Sequence, residues 1–416
     1  MSLRSNPSSS IVWILVPVVM LGQLSMDLYL PALDVLRDAL GATPNQLQLT
    51  LSAFVVSLGA TQFAIGELAR RIGRGQAIRF ALVAFTLATA GCAATSSIAL
   101  FIACRVVQGA AAAICVSLSY AAIADQARDR ADNLRGTTLL TVAITAAPLA
   151  GPVVGSQALQ LGGSWRAVFL LLLAISVATM VFFARQPLAR FGVRGLDARQ
   201  PSREVYLRIL GASRFWRHAL LCAIGTTINF CFFSFLPGIL FGSYGLSQNE
   251  FSIAFCCCGV FEIAGSLLAP PAGRRFGEAR RTRLACACAL LGGLAVAATA
   301  SLCTAVVPVI AAFALVMFGT GMLIAPNFAA ALYPFREHAD QASTICSVQQ
   351  FMIAAGVASC ATLMQWQSAS ALGLLIAAVA TLALAIGFAP MVVAPEAGLP
   401  GGAEQPVASR GGEVSG

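Results

Sequence analysis

Asp27, Arg105 and Glu262 each fall inside a long apolar run, and a charge in such a setting marks candidate chemistry. Asp27 lies in Ser25-Met26-Asp27-Leu28-Tyr29-Leu30-Pro31-Ala32-Leu33, Arg105 in the run that begins at Ile98, and Glu262 between Phe261 and Ile263. At bilayer depth an ionised side chain costs about 2.5–3.5 kcal/mol on insertion scales, and by default it signals function. A carboxylate placed there is suited to proton binding and release, because burial and a nearby cation favour opposite protonation states. Arginine keeps its charge and so supplies a fixed positive pole.

These residues need elements that cross a membrane, and the composition provides them. Of 416 residues, 58% are hydrophobic and 10% charged, with a mean hydropathy of +0.82; soluble domains carry roughly a quarter charged residues. Apolar runs of about 20 residues predict twelve spans near residues 11–33, 48–66, 76–95, 98–124, 136–161, 165–184, 218–241, 251–270, 284–303, 306–333, 341–364 and 369–393. The basic residues test that count. All 26 are arginine, and short cytoplasmic loops should hold most of them. With both termini cytoplasmic, only Arg37 and Arg166 fall on the opposite face and only Arg105 lies deep within a span, Arg79 and Arg166 being at span ends. The net charge of +9 is thereby a matter of topology, and nucleic-acid binding is not implied. The first run follows Arg4 but is too long for a signal-peptide core and lacks a small-residue cleavage site, so it reads as a retained span.

Other chemistries find little support. The thirteen cysteines, including Cys256-Cys257-Cys258, lie within predicted spans and read as small packing residues, with neither a disulfide framework nor a zinc-like spacing in a loop. His218 and His338 are isolated at span ends, which makes them poor metal ligands. No metal or cofactor is expected. A polytopic enzyme would need clustered catalytic residues in loops or spans, and the external loops are a few residues long apart from about 14 residues after span 1.

The longest loop divides the spans six and six. Residues 1–184 form the expected N-terminal bundle, 185–217 an arginine-rich cytoplasmic loop, 218–394 the C-terminal bundle and 395–416 a disordered cytoplasmic tail. The loop reads as a tether with a basic surface segment. An internal echo links the halves: Arg70-Arg71-Ile72-Gly73 follows span 2 and Arg274-Arg275-Phe276-Gly277 follows span 8. Repeated bundles of this kind are a transporter architecture, with the substrate site between them near the midplane.

The chain resembles the major facilitator superfamily, and within it the Bcr/CflA type of drug:proton antiporters that includes chloramphenicol and florfenicol exporters. The most specific segment is Met26-Asp27-Leu28-Tyr29-Leu30-Pro31-Ala32. In the same order come Leu49-Thr50-Leu51-Ser52, Gly66 to Arg74, Arg105-Val106-Val107-Gln108-Gly109, Pro148 to Gly155, Trp165-Arg166-Ala167-Val168-Phe169 and Ala325-Pro326-Asn327. The resemblance implies an all-α integral membrane fold of two six-helix bundles with spans 1 and 4 lining a central cavity. Asp27 and Arg105 lie about 9 and 10 Å below the same face at 1.5 Å per residue, and are expected there to face one another or share water. On that reading Asp27 couples to the proton gradient and Arg105 drives proton release; the alternative is a static ion pair that fixes packing.

Further residues carry narrower expectations. Pro148, Gly151, Pro152 and Gly155 look like the superfamily's antiporter motif, although Ala147 and Ser156 stand where glycines are usual, and plain helix packing remains an alternative. Gly66, Glu67, Arg70, Gly73 and Arg74 fit the gating loop except at Arg70, where the pattern usually has Asp; Glu67, one turn earlier, is placed to substitute. Glu262 lies about 16 Å below the outer end of its span, near the midplane. It is expected to bind substrate or a second proton, or else to pair with a polar group such as Asn229. Tyr29, Gln108, Asn229, Phe233, Glu262 and Gln349 are the candidate substrate contacts, with interhelical bonding the alternative for the polar ones. Phe54, Phe230, Phe232, Phe233 and Phe235 are candidates for an apolar wall or for packing.

The function expected is proton-coupled efflux of a small amphiphilic compound, by a monomer in the bacterial inner membrane. Uptake of a nutrient is the alternative within the fold.

Overall fold

Apolar runs bounded by caps and glycines become helices throughout the described residues of the computed structural model, which are 7–126, 130–191, 203–302, 304–366 and 368–388. The N-terminal half holds α1 (Pro7–Asp27), α2 (Leu33–Leu40), α3 (Pro44–Ile72), α4 (Arg74–Ala94), α5 (Ile98–Gln126), α6 (Arg130–Gly162) and α7 (Trp165–Ala184). A short α8 (Arg203–Leu210) precedes α9 (Ser213–Pro237), α10 (Gln248–Phe276), α11 (Glu278–Leu302), α12 (Val306–Leu332), α13 (Ala339–Leu363) and α14 (Ala369–Phe388). Twelve stretches among them are long and apolar enough to cross a membrane. Some run past the predicted spans: α3 starts at Pro44 and stops at Ile72, because its caps lie outside the apolar run, whereas α1 stops at Asp27, short of the predicted end at residue 33.

The echo between the halves is reproduced in detail. Helices α3 and α10 each have 29 residues and each starts with a capping box, Thr43 with Gln46 and Ser247 with Glu250. In a capping box the cap hydroxyl and the third helical side chain satisfy otherwise orphaned N–H groups reciprocally. Each helix stops at a glycine with the same backbone, Gly73 at φ 85°, ψ 149° and Gly277 at φ 84°, ψ 153°. A side chain would be strained at that φ, and the glycine lets α4 or α11 begin at the next residue.

Within the N-terminal half α1 packs on α5, α6 and α7, α3 on α5, and α4 on α5 and α7. Within the other, α9 packs on α12, α13 and α14, α10 on α12, and α11 on α12 and α14. The two bundles meet along two seams, α3 with α13 and α6 with α10.

Two connections differ from their sequence reading. The stretch after span 1 reads as a loop, yet Leu30–Ala32 forms a 3-10 turn and Leu33–Leu40 a helix closed by Gly41 in the left-handed region at φ 58°. Leu33 and Leu36 hold it against the bundle. The loop 185–217 is docked at both described ends. A 3-10 turn, Leu188–Phe191, stacks Phe191 on Phe183 at 4.5 Å, and α8 buries Val205 and Ile209 in a cluster with Phe215, Ala219, Ala331 and Ala342. Residues 192–202 and the predicted tail 395–416 lie outside the described residues.

Candidate functional site

The two bundles enclose a cavity of about 1150 Å³. Gln23 and Met26 of α1, Phe54, Gln62 and Gly66 of α3, Asn229, Phe230 and Phe233 of α9, and Phe351 of α13 line it, with Arg70 and Arg74 toward one end. The opposite end is closed by hydrogen bonds between the halves. Ser52 Oγ lies 3.1 Å from Ser359 Oγ, Gln48 donates to Ser234 at 3.4 Å, and Ser156 Oγ lies 2.7 Å from Ser252 Oγ. Short hydroxyl side chains there allow the helices to approach and bond at once.

Asp27 is the last residue of α1 and only 1% exposed. Its Oδ2 accepts from Gln23 Nε2 at 3.0 Å, one turn back on the same helix. Gln23 lines the cavity while Asp27 does not, so the amide stands between the carboxyl and the open space. Gly151 of α6 faces it: a Cβ on that glycine would come within 2.5 Å of the Asp27 Cβ. A Cβ on Gly155 would meet the Leu28 carbonyl. The proline-glycine segment of α6 is thus the wall behind Asp27, and Pro148 and Pro152 lie within that helix.

Arg105 is fully buried, and its expected face-to-face pairing with Asp27 is not present. No ion pair joins the two among the described residues; Arg105 Nη1 donates to Ser25 O at 3.1 Å and Gln108 Oε1 at 2.9 Å, and Nε to Thr50 O at 3.3 Å. Its Nη2 meets Met26 Sδ at 3.1 Å, and the guanidinium lies 4.8 Å from the Tyr29 ring centre and 4.4 Å from that of Phe54. Equal depth places two residues in one layer and leaves their directions around each helix open, which is why depth alone suggested a pair. Arg105 instead ties α5 to the backbones of α1 and α3, at Ser25, two residues before Asp27, and at Thr50.

That network also reassigns two candidate substrate contacts. Tyr29 is 1% exposed, because the chain leaves α1 in a turn that sends its ring inward, to within 5.7 Å of Phe169, and its hydroxyl to Thr50 Oγ1 at 3.1 Å. Gln108 is fully buried and passes the contact onward, donating to Thr89 Oγ1 at 2.8 Å. Both support Arg105 and neither lines the cavity.

In the other half Asn229 Nδ2 donates to Glu262 Oε1 at 2.5 Å. Asn229 lines the cavity and Glu262 stands behind it, half-buried on α10. Of the five phenylalanines, Phe54, Phe230 and Phe233 face the cavity, while Phe232 and Phe235 pack in the core. Gln349 does not line the cavity, and its amide is buried without a hydrogen-bond partner. Its neighbour Gln350 makes the contacts, accepting from Thr226 at 3.0 Å and from Cys222 at 3.1 Å.

At the arginine end Glu67 forms ion pairs with Arg70 and Arg71 of its own helix, and Arg74 with Asp125 of α5. None of these pairs crosses to the other half, so in this state Glu67 does not replace the missing acid of the gating pattern. The cavity separates the bundles here and leaves Glu67 its i+3 and i+4 neighbours. Gly66, Arg70 and Arg74 line the mouth, and Gly73 makes the turn between α3 and α4.

Sequence reading missed Gln23, although its spacing of four from Asp27 puts both on one helical face. It also missed the seal of Gln48, Ser52, Ser156, Ser252 and Ser359, whose residue types are common and whose pairing depends on how the bundles meet. Among the described residues no group of three His, Cys, Asp or Glu gathers to hold a metal.

Residues 15–359 match the family model of the Major Facilitator Superfamily. A chloramphenicol resistance protein of Pseudomonas aeruginosa is 30% identical over 292 residues, which cover 69% of this chain and 68% of that one. Multidrug resistance protein D of Escherichia coli strain K12 is 27% identical over 382 residues, 90% and 93% of the two chains. A D-xylose-proton symporter superposes with a TM-score of 0.73 at 14% identity, covering 91% of this chain and 97% of that one; a likeness at that identity is one of fold.

Proposed function

Because the chain belongs to the Major Facilitator Superfamily, and is thus a multi-pass transporter rather than an enzyme, we propose that it exports small amphiphilic compounds in exchange for protons, by alternating access. The observation that carries this reading is the position of Asp27: fully buried, bonded to one amide, and separated from a large cavity only by that amide. Relatives named for chloramphenicol and multidrug resistance support the export direction.

With both termini cytoplasmic, the open end at Arg70 and Arg74 faces the cytoplasm and the serine seal faces outward. A compound enters among Phe54, Phe230 and Phe233, whose apolar faces favour burial of an amphiphile over directional recognition. Rotation of Gln23 gives Asp27 access to cavity water, and its proton leaves inward. Opening of the seal on the other side lets the carboxyl bind a proton from outside, which removes the penalty of a charge in dry surroundings. Arg105 keeps the α1 backbone in place through both steps. The protein acts as a monomer in the bacterial inner membrane, with the proton gradient as its driving force and no cofactor.

The test is dye-reported dissipation of a pH gradient in inverted vesicles, over a panel that includes chloramphenicol and ethidium. Wild type responds to at least one compound and Asp27→Asn to none. Full coupling in Asp27→Asn would sink the assignment.

A further inference from the structure

The C-terminal half contains a second carboxyl arranged like the first, and the proton-coupled reading above gives Asp27 alone a task. We propose that Glu262 is a second proton-binding site that works together with Asp27, so that one cycle moves two protons. The inference rests on that reading and deepens it.

Three observations carry it. First, the local construction is the same: a cavity-lining amide, Gln23 or Asn229, donates to one oxygen of a carboxyl that stands behind it. The second oxygen of each, Oδ1 or Oε2, is left for a proton. Second, Asp27 and the turn of α10 that precedes Glu262 lean on the same stretch of α6. Asp27 lies against Gly151, while from the other side Cys256 Sγ contacts Leu149 O at 3.0 Å and Gly259 abuts the Leu149 side chain. Glu262 follows Gly259 by one turn of α10. Third, no described residue forms an ion pair with Glu262. Helix α12 carries no charged residue and α6 none between Leu149 and Gly155. Helix α9 offers Asn229, and α10 itself the Cys258 thiol. Helix α11 offers Cys286 and Cys288 and, nearer the mouth, Glu278, Arg280, Arg281 and Arg283. Arg105, buried in the other half, is taken up by carbonyls and Gln108. Two unpaired acids across one helix repel when both are ionised, so loss of the proton from one is felt by the other through the Pro148–Pro152 segment.

Difference infrared spectroscopy of the full chain in lipid nanodiscs reads the carboxyls directly, without any substrate. Wild type is expected to show two protonated-carboxyl bands that titrate. Glu262→Gln should lose one and shift the midpoint of the other, and Asn229→Leu should displace the Glu262 band while keeping it. The proposal is overturned if Glu262→Gln retains both bands, if the surviving band keeps its midpoint, or if Asn229→Leu leaves the Glu262 band in place. Failure of Asp27→Asn to uncouple transport would overturn the exporter reading and leave these spectra unchanged, so the two failures are told apart.

Discussion

Asp27 and Glu262 sit in opposite halves, each behind an amide, yet the scaffolds around them differ. The N-terminal acid stands beside a buried arginine that clasps two helix backbones and lies against the Tyr29 and Phe54 rings. The C-terminal acid has no such clasp among the described residues; its half includes neutral contacts between helices, Gln350 with Thr226 and His218 with Asn327 at 3.0 Å. A cation without a partner acid shapes the backbone and leaves the carboxyl free to change charge. Where that cation is missing, the acid depends on a single amide.

Four tests can break or sharpen this contrast. Arg105→Lys should have the largest effect, because an ammonium cannot reproduce a fork that bonds Ser25, Thr50 and Gln108 together. A loss of about 3 kcal/mol or more is expected from charged hydrogen bonds, seen as a drop in the detergent melting temperature well beyond that of Gln350→Leu; equal melting of the two would erase the difference between the scaffolds. Next come paired alanines on the two sides of the α6 wall. Gly155→Ala collides with the Leu28 backbone and should lower efflux about tenfold or more, whereas Gly259→Ala meets only the tip of Leu149 and should cost less than about twofold. Gln23→Leu removes one hydrogen bond to the carboxyl, about 1 kcal/mol, and should slow gradient-driven efflux about fivefold. Asn229→Leu should slow it to a similar degree if the halves share the work. The smallest change is expected of Glu67→Gln. Its pairs are partly exposed and worth less than about 1 kcal/mol, so melting and transport should stay close to wild type; a collapse of transport would show that Glu67 meets the other half in a state not seen here.

The architecture was legible because membrane insertion writes its rules along the chain: length of apolar run, position of arginine, glycine at a turn. Twelve spans and the paired Gly73 and Gly277 turns follow from those signals. Asp27 could be singled out for the same reason, a charge where charges are costly. What Asp27 touches could not. Periodicity gives the face of its own helix, and so could have supplied Gln23, but the Arg105 clasp depends on carbonyls, which every residue carries. Tyr29 turned inward because α1 ends at Asp27, a break that an apolar run does not announce. Gln349 and Gln350 differ by about 100° around one helix, enough to exchange an unpartnered amide for a bonded one.

The matched helices α3 and α10 have one more consequence. At 1.5 Å per residue a 29-residue helix is about 43 Å long, against a hydrocarbon thickness of about 30 Å. Each therefore extends beyond the lipid, and the surplus at the arginine end brings Arg71 and Arg275 into water just before the glycine turns. Small tilts of the two bundles become large displacements at those tips.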